Sequence, residues 1–265
     1  MTPRLFVDET LAAGVAVSLD ADRTHYLRDV LRLGAGVAVK LFNGRDGEWR
    51  AVIEAVAKRS ITVRVETQTR QPVAEPDLWL CFAPVKKARL DFIAEKATEL
   101  GVSVLQPVIT QRTVVERVNL DRLRANAVEA AEQTERLTMP EVRAPLTLAQ
   151  LVASWATGRH LMLADESGGG RPVAEVLAAL DDVGRTAPWA ILIGPEGGFA
   201  PAELDAICRL SDVHAVGLGP RILRADTAAL AALSVWQAIV GDWRHAGPRR
   251  SPDHTTAVNR RAGIA

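Results

Sequence analysis

The chain has 265 residues, 48% of them hydrophobic, and its 32 Lys and Arg balance 32 Asp and Glu to a formal net charge of zero. This composition suits a globular protein of one large or two modest domains, and it excludes a globally basic field as the means of holding a polyanion. No stretch reaches the roughly 20 apolar residues of a membrane span, and the opening residues lack the apolar core of a secretion signal, so a cytoplasmic protein without membrane attachment is expected.

Local charge is more informative than the total. Residues 1–72 carry 11 basic and 9 acidic side chains, residues 73–243 carry 16 and 22, and residues 244–265 carry 5 and 1. Residues 1–72 read mostly as β, with short β-rich runs at 5–7, 37–42, 49–56 and 61–65 separated by turn residues such as those at 43–47. One helix interrupts them over about 24–33. Tyr26, Leu27, Val30 and Leu31 form its apolar face, while His25, Arg28 and Arg32 lie opposite. Small strands with one helix suggest a compact barrel. The polar segment 66–77 carries two prolines and reads as a linker.

Beyond the linker, strands and helices alternate. Strands are predicted at 78–83, 102–108, 160–164, 190–193 and 213–218, and helices at 88–100, closed by Gly101, and from the cap residue Asn119 to about 134. Such alternation predicts an α/β domain with a largely parallel sheet. The last helix, opened by Asp226 or Thr227, has only Ser234 and Gln237 as polar side chains between 228 and 240. A helix apolar nearly all round is buried all round, in the core or under a second subunit. Residues 244–265 read as a mobile basic tail. Cys81 and Cys208 fall in apolar or helical runs without metal-ligand spacing, so packing roles and no metal are expected.

Two segments stand out for chemistry. Ile191-Leu192-Ile193 runs into Gly194-Pro195-Glu196-Gly197-Gly198-Phe199, and Pro201 and Glu203 follow where a helix would begin. Glycines after a strand either make a tight turn or let a ligand approach the backbone. Val216-Gly217-Leu218-Gly219-Pro220-Arg221-Ile222-Leu223-Arg224-Ala225-Asp226 repeats the arrangement. In open α/β sheets ligands bind outside the carboxyl ends of strands, where two such loops can face one crevice. A third strand, 161–164, ends in Asp165 and Gly168-Gly169-Gly170, whose order does not fit a dinucleotide fingerprint. Those glycines read as a flexible surface loop.

The pair Gly-Pro-Glu-Gly-Gly-Phe and Leu-Gly-Pro-Arg-Ile-Leu-Arg-x-acid-Thr-Ala resembles the signature of the ribosomal RNA small-subunit methyltransferase E family, which makes N3-methyluridine in 16S rRNA. The segments His25–Leu33, Lys96–Val102 and Ala131–Arg136 are similar as well, and the likeness runs in order over residues 4–243. One position departs: Asp226 stands where the family usually has Glu. The resemblance implies an α/β SPOUT methyltransferase domain with a trefoil knot over 73–243, preceded by a PUA-like β-barrel RNA-binding domain over 1–72. It also implies S-adenosylmethionine as cofactor, 16S rRNA of the small ribosomal subunit as partner, and a homodimer with the active site at its interface.

For the site, Leu163, Ile193, Gly194, Glu196, Gly198, Leu218, Gly219, Ile222 and Leu223 are the expected cofactor contacts. Arg224 suits orientation of the uracil ring and stabilisation of charge developing on it. Glu196 can act as base or brace its loop, and Asp226 can act as base or cap the last helix. His25, Arg28, Arg32, Lys86, Arg112 and Arg136 are candidate RNA contacts. Two other readings stay open, a Rossmann-type methyltransferase and a noncatalytic RNA-binding assembly factor.

Overall fold

The computed structural model describes residues 2–115, 117–165 and 168–244, so the basic tail expected from 244 onward lies outside the described residues apart from Arg244. The chain divides into two compact units between Ala74 and Glu75.

The first unit contains β1 (Arg4–Phe6), β2 (Ala16–Leu19), α1 (Ala21–His25), a π-helical turn Tyr26–Val30, β3 (Ala38–Asn43), β4 (Gly47–Val56) and β5 (Ile61–Arg70). They form one curled sheet in the order β1-β3-β4-β5-β2, antiparallel except where β1 runs parallel to β3. Alternation places Ile61, Val63 and Val65 inward against Leu5, Val39, Leu41 and Ile53, while Arg64 and Glu66 face out. The β3–β4 turn is set by Asn43, whose Oδ1 accepts from the Arg45 and Asp46 amides at 3.1 and 2.6 Å. Gly47 follows at φ +79, where a Cβ would run into the Arg70 carbonyl.

Three expectations change here. The first part of the expected linker is strand, because β5 continues to Arg70 alongside β4. The strand β2 was not predicted; it is four residues long and only half buried. The helix starts earlier, capped by Asp20, whose side chain accepts from the Arg23 amide at 2.8 Å. Its second half is π-helical, with the Leu31 amide donating to the Tyr26 carbonyl. The wider turn rotates the expected apolar face away from the core. Leu27 is fully buried, but Tyr26, Val30 and Leu31 are 40%, 58% and 36% exposed.

The second unit follows the predicted alternation. Its elements are β6 (Leu78–Phe82), α2 (Lys87–Glu99), β7 (Val104–Ile109), α3 (Leu120–Gln133), β8 (Glu141–Val142), β9 (Leu146–Thr147), α4 (Leu148–Ala153), β10 (His160–Ala164), β11 (Arg171–Pro172), α5 (Val173–Ala178), α6 (Asp182–Thr186), β12 (Trp189–Ile193), α7 (Pro201–Cys208), β13 (Val213–Gly217) and α8 (Ala225–Ile239), with a 3-10 turn Asp242–Arg244. The sheet runs β11-β13-β10-β12-β6-β7-β8 with every pair parallel, and β9 pairs in parallel with the last residues of β7.

Every residue of β12 is buried, as expected for a central parallel strand covered on both faces. Trp189, Ile191 and Ile193 join Leu80, Phe82, Ile93, Ala229, Leu233 and Trp236 on the face of α2 and α8. Ala190 and Leu192 join Cys81, Leu161, Leu163 and Ile207 on the face of α4 and α7. Along α8, residues 228, 229, 232, 233 and 236 turn inward, whereas Leu230, Val235 and Ile239 are only partly covered. Its apolar character is therefore not exhausted by its own core.

Candidate active site

The parallel register lines up the carboxyl ends of β10, β12 and β13, so the segments after Ala164, Ile193 and Gly217 emerge side by side. They enclose a cavity of about 650 Å³. Ile193, Phe199, Leu204, Leu218, Leu223 and Ala228 give it apolar walls, and Arg112, Glu196, Arg221 and Arg224 add charge.

Each wall has a local cause. After β12, Gly194 is close enough to Phe199 that a Cβ would lie 2.8 Å from the ring. Gly198 adopts φ +68, which favours glycine. Pro201 then opens α7, and Glu203 closes a cap by accepting from the Ala200 amide at 2.8 Å. Its other oxygen accepts from the Gln111 amide at 2.8 Å, and Arg112 donates to the Gly197 carbonyl at 2.6 Å. The loop after β7 thereby clamps the loop after β12. On the opposite wall, Gly219 adopts φ +106, and a Cβ there would enter open space. That opening is a cradle bounded by apolar side chains and glycine backbone, and it fits a nucleoside-sized group whose edges are read by peptide N–H and C=O.

The loop after β10 also belongs to the wall, through Asp165, Gly168, Gly170 and Pro172. This corrects the expectation of a mere surface loop. Gly170 is packed so tightly against β13 that a Cβ would lie 2.5 Å from the Val216 carbonyl carbon. That close approach arises from the pairing of β11 with β13, which the glycine run alone does not reveal.

Residues 73–237 match the RNA methyltransferase domain family, and residues 19–66 match the RNA methyltransferase PUA domain family. A ribosomal RNA small subunit methyltransferase E from Rickettsia conorii is 32% identical over 234 residues, covering 87% of this chain and 93% of the relative. The chain belongs to the ribosomal RNA small subunit methyltransferase E family. The Synechocystis member is 33% identical over 242 residues, covering 91% of this chain and 78% of its own. A methyltransferase from Legionella pneumophila, solved with bound S-adenosylmethionine, superposes with a TM-score of 0.79 at 30% identity, covering 91% of this chain and 99% of that one. The Neisseria gonorrhoeae member bound to S-adenosylmethionine gives 0.80 at 26% identity, covering 92% and 100%.

Of the candidate residues, the cavity brings together Ile193, Gly194, Glu196, Gly198, Leu218, Gly219, Ile222, Leu223, Arg224 and Arg112. Leu163 does not line it, because strand alternation turns its side chain into the core under α4 and α7. Asp226 does not line it either. Arg224 occupies the cap position of α8, so Asp226 lies inside the first turn. There its Oδ1 accepts from the Thr227 amide at 2.9 Å, and its Oδ2 lies 3.7 Å from Arg89 Nε. Arg89 was not a candidate, and no spacing in the sequence joins it to residues more than a hundred positions away.

Arg136 is a correction. It is buried, and its guanidinium donates to the Thr98 and Val102 carbonyls at 2.8 and 2.7 Å and to Glu75 at 2.8 Å. It ties α2 to the segments beside it and is closed to a phosphate. Lys86 is exposed just before α2, outside the cavity wall. In the first unit, Arg28 donates to both oxygens of Asp29 at 2.7 Å, and His25 Nδ1 also lies 2.7 Å from Asp29. Hydrogen bonds from Arg28 and His25 hold the Asp29 carboxyl well below the usual carboxylate range. Arg32 is exposed at φ +56 at the end of the π turn.

Proposed function

We propose that the chain methylates N3 of one uridine in 16S ribosomal RNA, with S-adenosylmethionine as methyl donor. The observation that carries this reading is the pairing of Arg224 and Glu196 on one cavity whose glycine-lined, apolar walls fit an adenosine. When bound, S-adenosylmethionine supplies a methyl group on a sulfonium. The chain itself must hold the uracil edge in line, remove the N3 proton and offset negative charge on the ring. Arg224 would meet the last demand by donating to a uracil carbonyl oxygen, which offsets the negative charge left on the ring when the N3 proton is removed. Glu196 accepts the N3 proton, directly or through one water. The backbone at Gly194, Gly198, Leu218, Gly219 and Leu223 holds the cofactor.

The same reading covers the assembly. The first unit acts as a PUA-like RNA-binding domain, with His25, Arg28 and Arg32 near the phosphates. The second is a SPOUT domain whose chain is threaded as a trefoil knot. The course of the chain supports threading: β13 lies beyond β10, yet α8 returns to pack on α2, α5 and β12. A cytoplasmic homodimer follows, supported by the partly covered outer side of α8 and by Ile222, which is 85% exposed at the mouth of the cavity. A Rossmann-type enzyme is disfavoured by the order β13-β10-β12-β6-β7, which does not follow the dinucleotide-binding arrangement.

The decisive experiment maps methylated nucleotides in 16S rRNA from cells with and without the protein. One N3-methyluridine should vanish in its absence and return with the gene. An unchanged map, or failure of the purified protein to bind S-adenosylmethionine by calorimetry, overturns the enzyme and favours a noncatalytic assembly factor. Light scattering that gives a monomer at micromolar concentration overturns the dimer.

A further inference from the structure

We propose that Arg89 is a positioning residue of this site, and that Asp226 serves the reaction through Arg89 and not as its base. The proposal rests on the methyltransferase reading above.

Arg89 lies in the first turn of α2, and its side chain is 36% exposed. Its Nη1 lies 3.8 Å from Glu196 Oε1, and its Nε lies 3.7 Å from Asp226 Oδ2. One guanidinium thus addresses two carboxylates through two different nitrogens. Glu196 belongs to the loop after β12 and Asp226 to the first turn of α8, so the brace spans the two glycine-bearing walls of the cavity. Neither acid is near the other in sequence, and nothing in the local backbone would keep them together.

The two acids are not equivalent. Glu196 lines the cavity and is half exposed, while Asp226 is outside the wall. Both Asp226 oxygens are engaged: Oδ1 takes the Thr227 amide at the positive start of α8, and Oδ2 faces Arg89. Asp226 is therefore an anchor fixed to the helix. Arg89 transmits that anchorage to Glu196, whose side chain would otherwise be free to turn into solvent. Without the guanidinium, the loop acid and the helix-bound acid would lose their shared counter-charge.

The test is a double-mutant cycle on the full chain with Arg89→Met, Asp226→Asn and the pair, and with Arg89→Lys and Asp226→Glu as conservative controls. Melting temperature, S-adenosylmethionine affinity by calorimetry, and kcat and KM for methyl incorporation into small subunits are measured on each. The partly exposed brace should leave melting nearly unchanged. Each disruptive single change should lower kcat by about tenfold or more, as misplacement of a reacting group does, with KM little altered. The pair should be no worse than the poorer single variant. Arg89→Lys should recover part of the loss, and Asp226→Glu should stay close to the parent. The acidic limb of the pH–rate profile should survive in Asp226→Asn. Multiplying losses in the pair, or disappearance of that limb, would overturn the proposal while leaving the methyltransferase reading intact. A parent chain that neither binds S-adenosylmethionine nor incorporates methyl overturns the reading, and the role of Arg89 with it.

Discussion

The two ends of the parallel sheet are built from the same strands and treat polar groups in opposite ways. At the amino ends, Trp189 donates to the Gly184 carbonyl at 2.8 Å, and Arg159 donates to the Trp189 carbonyl at 2.9 Å and to Asp77 at 2.6 Å. His160 and His214 lie 3.0 Å apart and stack with Trp189. Polar atoms there face one another across packed rings. At the carboxyl ends, Ile193 and Gly217 pass into loops that surround a cavity, and Glu196 and Arg224 stand on its wall. The difference teaches where to look for ligands: a strand end whose polar groups are packed against one another is structural, and one opened by glycines leaves backbone groups for something else to satisfy.

The largest expected effect breaks the open end. Gly219→Val places a branched side chain in the cavity at φ +106, a conformation that costs a residue with a Cβ on the order of 1–3 kcal/mol before any clash with ligand. Relief of that strain reshapes the loop, and S-adenosylmethionine affinity should fall by about tenfold to 100-fold, since a binding conformation disfavoured by about 1.4 kcal/mol costs a factor of ten. Calorimetry that finds parental affinity would remove this loop from the site. Of similar size, Arg224→Ala should cut kcat by about 100-fold, the scale seen when one donor to a developing oxyanion is removed. Cofactor affinity should stay near the parent, because the interaction is made in the transition state. Loss of RNA binding with an unchanged maximal rate would make Arg224 a docking residue.

The open end was the more legible of the two in the sequence. A buried run followed by glycine signals strand-to-loop by itself, so the loops after β12 and β13 stand out in local pattern, as do α2, α3 and β10, while Gly194, Gly198, Leu218 and Gly219 as cofactor contacts come with the family resemblance. Contacts made across the sheet could not. Gly168–Gly170 read as a loose loop because their role depends on β11 pairing with β13. Arg136 read as a surface cation because nothing adjacent reveals the carbonyls of Thr98 and Val102 around it. Leu163 is on a strand that leads to the cavity, with its side chain turned into the core. Arg89 gave no signal, since its two partners come from distant loops. In the first unit the α-helical period misplaced Tyr26, Val30 and Leu31, because a π turn changes the period without changing the composition.

A change at the closed end should separate stability from binding. Arg159→Met removes charge-assisted hydrogen bonds to Asp77 and one to the Trp189 carbonyl, and should destabilise the protein by about 2 kcal/mol. Melting should fall by roughly 4–8 °C for a unit of this size, with S-adenosylmethionine affinity unchanged. A comparable loss of affinity in the folded variant would mean that the two ends are coupled.

The smallest effect is a pH dependence confined to the same end. His214 is driven below its ordinary value of 6.5 first by burial and then by His160 beside it, with Asp212 opposing both. Trp189 packs on both imidazoles, so a charge on His214 there would be poorly solvated. In the unfolded chain His214 takes up its proton near 6.5, whereas the folded chain resists until lower pH. The unfolded state therefore binds more protons between the two values. The contribution of neutral His214 is fully present above pH 6.5, declines as pH falls through that value, and levels off below the folded one. Urea unfolding of the parent and His214→Gln at pH 8, 6 and 5 should show a shallower pH dependence in the variant over this window. Equal slopes in the two proteins would assign the acid sensitivity to carboxylates elsewhere, and would reduce the histidine pair to ring packing alone.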